Sequence, residues 1–250
     1  MKARIRLVGC LAKLSEYSDS SLILRAFTRE LGSLSIIAKG IRKTQSRNQL
    51  CPLNEYEFSV YEPREQGLYL LAEACPVKER DLSGRPEVWA AAECGLELYA
   101  SLIIPVEESG EYYRLLTSYL DYLAGLESNA VLIWWRFLLR TFALLGIHFH
   151  PDLCSVCGEV AVAAATARGS AELACEACLS GQRDRDRWDP LGEQSARILA
   201  LLPQIGNHVA GLRPKRESVR ELNRLFEAYY SDHFGRELKL RSLKVLEQFY

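Results

Sequence analysis

Residues 154–178 read CSVCGEVAVAAATARGSAELACEAC and contain two closely spaced pairs of cysteines. The spacing is C-x2-C-x17-C-x2-C, which is typical of a structural zinc site with four cysteine ligands. Four thiolates fill every position of a tetrahedral ion and leave none open for water or substrate, so the pattern indicates structural and not catalytic zinc. We therefore predict one structural Zn2+ per chain, bound by Cys154, Cys157, Cys175 and Cys178.

The residues around these cysteines predict a compact module at about 151–182. Gly158 directly follows the first pair, and glycine tolerates the positive φ of a tight turn that brings two sulfurs together. Residues 159–174 alternate in part and carry a turn signal at Arg168-Gly169-Ser170. This pattern favours a short β-hairpin that the metal closes at its base.

Two other readings of the cysteines are weaker. A redox C-x2-C motif normally stands once, before a helix in a βαβ unit, and this chain has two without that context. Disulfides need an oxidising compartment, and the first ten residues lack the long apolar run of a signal peptide, so we expect the protein in the cytoplasm. His148 and His150 lie near the module, but four cysteines already suffice as ligands. The remaining cysteines are predicted to be small buried apolar residues: Cys10, Cys51, Cys75 and Cys94.

The first eighty residues are predicted to be β-structure. Five short runs separated by turn signals, with no helical pattern between them, fit a five-stranded barrel of the OB type at 1–82. The predicted strands are Arg4–Cys10, Ser20–Phe27, Leu34–Ala38, Glu55–Tyr61 and Leu68–Cys75. In the fourth strand Tyr56, Phe58 and Val60 share one face and are expected in the core, while Glu55 and Glu57 are expected on the opposite, solvent-facing side.

From Pro86 onward the apolar residues recur at helical spacing. The predicted helices are Pro86–Ile103, Glu111–Leu126, Asn129–Leu145, Glu193–Leu202, Glu217–His233 and Lys239–Gln248, with Gly235 as a C-terminal stop. The most apolar stretch, Ala130–Ile147, is interrupted by Arg136 and Arg140, which favours a packed helix over a membrane span. The predicted fold class is α+β: the barrel, then a helical domain at 83–250 with the inserted zinc module.

Charge is unevenly distributed along the chain. The whole sequence has a net charge of −1, but residues 1–50 hold ten basic and three acidic residues, a net charge of +7. The connection between the third and fourth strands is basic and rich in hydroxyl and amide groups, which suits contact with nucleic-acid phosphates. The candidate DNA-binding residues are Lys39, Arg42, Lys43 and Arg47 in this connection, together with Arg4, Arg6 and Arg25. The competing interpretation is a solvated loop that binds nothing.

Signatures of common enzymes are missing from the sequence. We find no phosphate-binding G-x4-G-K-[ST], no dinucleotide-binding G-x-G-x-x-G after a strand, no H-E-x-x-H and no G-x-S-x-G. The acids from Glu55 to Glu65 are expected on strand and turn surfaces and not in a two-metal cluster. We therefore predict a protein that is not an enzyme.

Three groups of residues together resemble one family. They are Tyr17-Ser-x-Ser20 … Phe27-Thr-x-Glu-x-Gly32 … Ala38-Lys-Gly-x-Arg-Lys43 … Ser46, then Leu144-Leu-Gly146 with Pro151-Asp-Leu-Cys-x-x-Cys-Gly158, and finally Gly235-x-x-Leu-Lys-x-Arg-Ser-x-x-x-Leu246. In this order, over nearly the full length, the chain resembles the bacterial RecO family of recombination mediators.

The resemblance implies a protein that binds single- and double-stranded DNA and anneals complementary strands. It implies action with RecR, and in some bacteria RecF, to place RecA on DNA coated by single-strand-binding protein, near the nucleoid and away from membranes. It also implies that the acidic, apolar-tipped tail of single-strand-binding protein docks on the helical domain. Matching chemistry lies near the end of this chain, in Arg236, Lys239, Arg241 and Lys244 around four leucines, although these leucines could simply be the buried side of a helix.

A second function from another class stays open. The chain could be a zinc-stabilised scaffold that binds a protein partner and has no DNA activity of its own. Salt-dependent binding to any oligonucleotide would separate the two.

Overall fold

The computed structural model describes residues 4–43, 50–63, 67–181 and 185–250. The strands are β1 (Arg4–Glu16), β2 (Leu22–Thr28), β3 (Gly32–Ala38), β4 (Glu55–Tyr61), β5 (Tyr69–Lys78), β6 (Ala163–Ala167), β7 (Leu173–Cys175) and β8 (Trp188–Pro190). The α-helices are α1 (Pro86–Ser101), α2 (Ser109–Ala124), α3 (Ala130–Leu144), α4 (Glu176–Gly181), α5 (Glu193–Leu201), α6 (Arg216–Phe234) and α7 (Arg241–Leu246). The predicted fold class, an OB-like barrel followed by a helical region with clustered cysteines, is confirmed.

The first five strands close into a barrel in the order β1-β2-β3-β5-β4. Strand β1 continues to Glu16, well past its predicted end, because it pairs with β4 along its first half and with β2 along its second half. The barrel closes through a short parallel contact of β3 with β5, where Ile36 and Ile37 pair with Tyr69 and Leu70. A cluster of inward-facing side chains fills the interior, including Leu11, Leu24, Ile36 and Phe58.

Strand β4 confirms one prediction and contradicts another. Tyr56, Phe58 and Val60 are buried in the barrel core, as alternation predicted. Glu55, expected on the surface, is only 8% exposed. Its carboxylate pairs with the Arg80 guanidinium and accepts a hydrogen bond of 2.5 Å from the Tyr113 hydroxyl. A buried carboxylate needs such partners, and neither is near Glu55 in sequence.

The chain divides into two compact units, residues 1–126 and 127–250. The first unit contains helices α1 and α2 in addition to the barrel. The Tyr99 ring lies 4.9 Å from that of Phe27, and the Ser109 hydroxyl donates to the carbonyl of Arg29 at 2.8 Å. The barrel's last strand ends at Lys78, and the predicted domain boundary between residues 82 and 83 stays a prediction.

The second unit has an aromatic core around α3 and α6. Trp134 and Trp135 are buried, and the indole N–H of Trp135 donates to Asn223 at 2.8 Å. Helix α6 ends as predicted, because Gly235 takes φ +62° and its N–H donates to the carbonyl of Ser231. Among the described residues, no helix has both the length and the apolar character that crossing a bilayer would need.

The four cysteines outside the predicted zinc module differ in burial. Cys10 and Cys94 are buried, as predicted. Cys51 and Cys75 are exposed, so the prediction is wrong for them. Cys75 lies in the part of β5 whose residues mostly face solvent, and Cys51 precedes the turn that enters β4.

Candidate metal centre and nucleic-acid interface

The four cysteines of the two pairs meet in one cluster. The sulfur atoms of Cys154, Cys157, Cys175 and Cys178 all lie within 4.8 Å of one another. Tetrahedral zinc with Zn–S distances of about 2.3 Å places its sulfurs about 3.8 Å apart, so small movements of these side chains would complete the coordination. The donor set therefore fits the ion that the spacing predicts.

The first cysteine pair is held by a tight turn. Gly158 takes φ +76°, and its N–H donates to the carbonyl of Cys154 at 2.8 Å. The N–H of Cys154 donates in turn to the carbonyl of Glu159 at 3.0 Å. Because only glycine takes this φ without strain, the residue after the second cysteine decides whether the turn can close.

The second pair is positioned by the predicted hairpin. Strands β6 and β7 pair antiparallel across a turn in which Gly169 takes φ +72°. Cys175 is the last residue of β7 and Cys178 lies one turn later in α4. The sheet has a third strand, β8, which pairs with β6 and was not predicted.

The cluster favours thiolate at one cysteine and opposes it at another. Burial disfavours the charged form of Cys154, but backbone N–H groups of Cys157, Cys175 and Val156 outweigh it and lower the thiol pKa to about 6. Hydrogen bonding with Cys157 and Cys175 raises the pKa of Cys178 to about 12. The Cys154 thiolate is therefore readily formed, whereas ionising Cys178 beside it needs a cation among the sulfurs. A divalent metal supplies that charge.

The neighbouring histidines are outside the cluster. The rings of His148 and His150 stack with centroids 6.4 Å apart. In the part of the chain that the structure describes, the cysteine set is the one group of three or more His, Cys, Asp or Glu residues close enough to share an ion, and it includes neither histidine.

Among the described residues, three exposed cations of the barrel stand apart from any acid. The register places Lys13 of β1 directly opposite Arg25 of β2, and Arg25 opposite Ser35 of β3. Lys39 directly follows β3 and is also exposed. Among the described residues, no acid lies within ion-pair distance of these three side chains. We call Lys13, Arg25 and Lys39 the barrel cations.

Other predicted DNA-binding residues are already paired. Arg4 lies 3.3 Å from Glu73 and donates to the Ser59 hydroxyl at 2.7 Å, and Arg6 lies 3.7 Å from Glu57. All these distances join side-chain atoms at the surface, where such pairs are weak and exchange readily.

Arg42 has a structural role in the connection. Its side chain is 24% exposed, pairs with Glu16 at 3.0 Å and donates to the carbonyl of Ser18 at 2.9 Å. It therefore holds the turn between β1 and β2. The Lys43 side chain and Arg47 lie outside the described residues.

Sequence reasoning left Lys13 out of the candidate set. Its partner Arg25 lies across the turn between β1 and β2, and the register shifts at a bulge between Leu11 and Lys13. Simple alternation cannot be carried through a bulge, because the bulge changes which side chains face each other. The only sequence signal was that Lys13 is one of the ten basic residues of the positively charged first fifty.

The predicted partner-binding cations are exposed near the chain end. Lys239 pairs with Glu237 at 2.8 Å, and the Arg236 guanidinium lies 5.9 Å from the centre of the Tyr230 ring. Arg241 and Lys244 lie on α7. The four leucines among them are buried: Leu238, Leu240, Leu243 and Leu246. The exposed apolar side chains beside the cations are Val245 and Phe249.

Comparison with known proteins gives a consistent result over nearly the whole chain. Residues 1–80 match the family model described as Recombination protein O N terminal, and residues 84–242 match Recombination protein O C terminal. A DNA repair protein RecO of Listeria monocytogenes serotype 4b is 25% identical over 258 residues, covering 96% of this chain and 92% of the relative. A protein of the same name from Bifidobacterium adolescentis is 23% identical, with 96% and 97% covered, and one from Prosthecochloris aestuarii is 24% identical, with 96% of each covered.

Proposed function

Because this chain belongs to the RecO family, we propose that it is a DNA-binding recombination mediator in DNA repair. It binds single- and double-stranded DNA, anneals complementary single strands and, with RecR, helps to load RecA onto DNA coated by single-strand-binding protein. RecF takes part in some bacteria. The protein acts in the cytoplasm, at the nucleoid.

The observation that supports DNA binding most directly is the position of the barrel cations. Lys13 and Arg25 are like charges directly opposite each other on exposed strands, an arrangement that destabilises a sheet unless an anion lies over it. Lys39 adds a third charge after β3. These side chains would contact phosphates and not bases, so binding would not depend on sequence.

The proposed mechanism breaks no covalent bond. Two single strands repel each other through their phosphates, and a cationic surface lowers that repulsion at the moment when complementary bases meet. Each cation that contacts a phosphate releases a counterion, so the affinity for DNA should fall steeply with salt, and with it the protein's acceleration of annealing. The protein acts by holding strands and not as an enzyme.

We also propose that the cysteine cluster holds one structural Zn2+ per chain. When bound, the ion would join the turn at Cys154, the end of β7 and α4 into one module. The four sulfurs would saturate its coordination, so it would have no open position for a reaction.

The DNA proposal is tested by two variants of equal charge change. Lys13→Gln with Arg25→Gln removes two unpaired cations, whereas Arg4→Gln with Arg6→Gln removes two paired ones. We expect the first variant to reduce the slope of log affinity against log salt by about 1.4 for single strands, and to slow annealing. The second variant should change the salt slope and the annealing rate less than the first does.

Equal slopes for the two variants would place the DNA surface elsewhere on the molecule. A wild-type protein that binds no oligonucleotide at any salt concentration would overturn the proposal and leave the zinc-stabilised scaffold. Melting curves of each variant show whether a lost activity reflects lost folding.

The partner proposal concerns the cations near the chain end. The acidic, apolar-tipped tail of single-strand-binding protein would pair with Arg236, Lys239, Arg241 and Lys244. Because the leucines between them are buried, its apolar tip would contact Val245 or Phe249.

A synthetic tail peptide should bind wild type and bind Arg241→Glu at least several-fold more weakly, while affinity for naked DNA stays unchanged. Fluorescence anisotropy measures both, and Arg114→Glu, on α2, serves as the control of equal charge change. The same peptide affinity for both variants would exclude this surface.

A further inference from the structure

The second unit contains a cationic groove between α5 and α6. The groove encloses about 650 Å3, and four cations line it: Arg197 from α5, Lys215 just before α6, and Arg220 and Arg224 from α6. None of these four belongs to the residues that the sequence singled out. We call this feature the α5–α6 groove.

Three acids also line the groove, Glu193, Glu217 and Glu221, so its lining has four positive and three negative side chains. Both carboxylate oxygens of Glu221 accept the Gly192 N–H at 3.2 Å, which holds this acid at the start of α5 and away from the arginines. Glu193 and Glu217 lie in the first turns of α5 and α6, where the helix dipole stabilises a negative charge. Within the described ranges, no carboxylate lies within ion-pair distance of any of the four cations.

The arginines of α6 form a regular row. Arg216, Arg220 and Arg224 follow each other at four-residue intervals and are all exposed, so they occupy one side of the helix. Each interval advances about 6 Å along the axis, which gives a row of charge about 12 Å long. A polymer with regularly repeated negative charge matches such a row better than a single small anion does.

The groove also lacks the features that an apolar-tipped peptide needs. Leu212, the large apolar residue that lines it, is only 6% exposed, and no aromatic side chain lines it among the described residues. Without an apolar pocket a peptide has no anchor, and without an aromatic surface unstacked bases have nothing to stack on. What the groove offers is charge, mostly as arginine forks that fit phosphate oxygens.

We propose that the α5–α6 groove is a second DNA-contact surface, which binds the phosphate backbone of duplex or single-stranded DNA without reading bases. This inference rests on the proposed DNA-binding function and extends it to the second compact unit. A surface that grips only the backbone would retain a duplex after annealing as well as a single strand before it.

The test removes two arginines of the row in the full-length protein. Arg220→Gln with Arg224→Gln should reduce the salt slope for a duplex oligonucleotide by about 1.8, because each duplex phosphate contact contributes about 0.9. Arg220→Lys with Arg224→Lys keeps the charge and should retain most of the wild-type slope. Arg114→Gln with Arg140→Gln, two exposed cations on α2 and α3, is the control of equal charge change.

A wild-type slope in the Arg220→Gln, Arg224→Gln protein would overturn this inference, whereas the barrel variant Lys13→Gln, Arg25→Gln tests the proposed function separately. Loss of binding to an acidic peptide with unchanged DNA binding would also overturn it and make the groove a peptide site. A slope reduced equally by the control pair would mean that only net charge matters, which again contradicts it. The lysine variant, checked by its melting temperature, separates lost contacts from misfolding.

Discussion

At the scale of single residues, Arg80 is a buried charged side chain that connects several segments of the first unit. Its side chain is only 1% exposed, and its guanidinium binds Glu55, Asp121 at 2.8 Å and the carbonyl of Leu53 at 3.0 Å. The backbone of Leu53 has φ +72°, which is uncommon for leucine. Arg80 therefore joins the entry to β4, the segment after β5 and helix α2.

Replacing Arg80 by Ala should destabilise the protein by about 3–5 kcal/mol, because it leaves the buried Glu55 carboxylate without its counter-charge. Urea unfolding measures the change. Arg114→Ala removes an exposed arginine paired with Glu111 and should cost at most about 1 kcal/mol. If the two variants lost similar amounts of unfolding free energy, the buried pair of Arg80 and Glu55 would not be the source of the destabilisation.

Asp121 makes this cluster sensitive to acid. Burial opposes its charge, but hydrogen bonds and charge from Lys78 and Arg80 outweigh that and lower the pKa of the carboxyl. A lowered pKa contributes stability above the unfolded-state value, about 4, and this contribution is lost as pH falls through the folded-state value. The free energy of unfolding of Asp121→Asn should therefore depend less on pH between about 2 and 5 than that of wild type. Identical pH profiles would contradict the assignment.

At the scale of elements, the zinc module should fold with its metal. Cys175→Ser should reduce the bound zinc and the melting temperature together, because the binding free energy of a structural ion is folding free energy. Metal analysis and thermal unfolding measure the two. Cys75→Ser changes an exposed cysteine outside the cluster and should alter neither. A metal-free protein with an unchanged melting temperature would show that the ion is incidental.

Periodicity predicted the elements whose own residues decide their structure. The alternation of Tyr56, Phe58 and Val60 and the glycine stop at Gly235 were both correct, since local pattern and packing agree there. Strand β8 was missed because its three residues form a strand only by pairing with β6. A segment that short carries no periodic signal of its own.

The candidate sites, like the elements, were predicted where neighbouring residues decide the structure and missed where distant residues do. The cysteine cluster was predicted completely, because C-x2-C spacing encodes its own local geometry. The barrel cations were predicted only in part. Whether an arginine has an acidic partner depends on the strands beside it, and the fold places Arg42 against Glu16 but Arg25 opposite Lys13. The burial of Glu55 needed Arg80 and Tyr113, which only the folded chain brings close.

At the scale of the whole molecule, a net charge of −1 coexists with a cationic surface in each of the two compact units, among the residues that the structure describes. The barrel cations lie in the first compact unit and the α5–α6 groove lies in the second. Both contain cations that no acid pairs with among the described residues, unlike Arg168, which lies 2.8 Å from Asp189. What the two surfaces share is that unpaired cations stand together, on facing strands in the barrel and around one groove in the second unit.

The opposition of Lys13 and Arg25 across β1 and β2 has a cost for the free protein. Like charges facing each other weaken the sheet, so the unliganded fold would be less stable than the same barrel with one charge removed. Lys13→Gln should then raise the melting temperature of the free protein. It should also reduce the further rise in melting temperature that added oligonucleotide produces, because a ligand stabilises a protein according to its affinity for the folded state. Selection for DNA binding and selection for thermal stability would thus act on Lys13 in opposite directions.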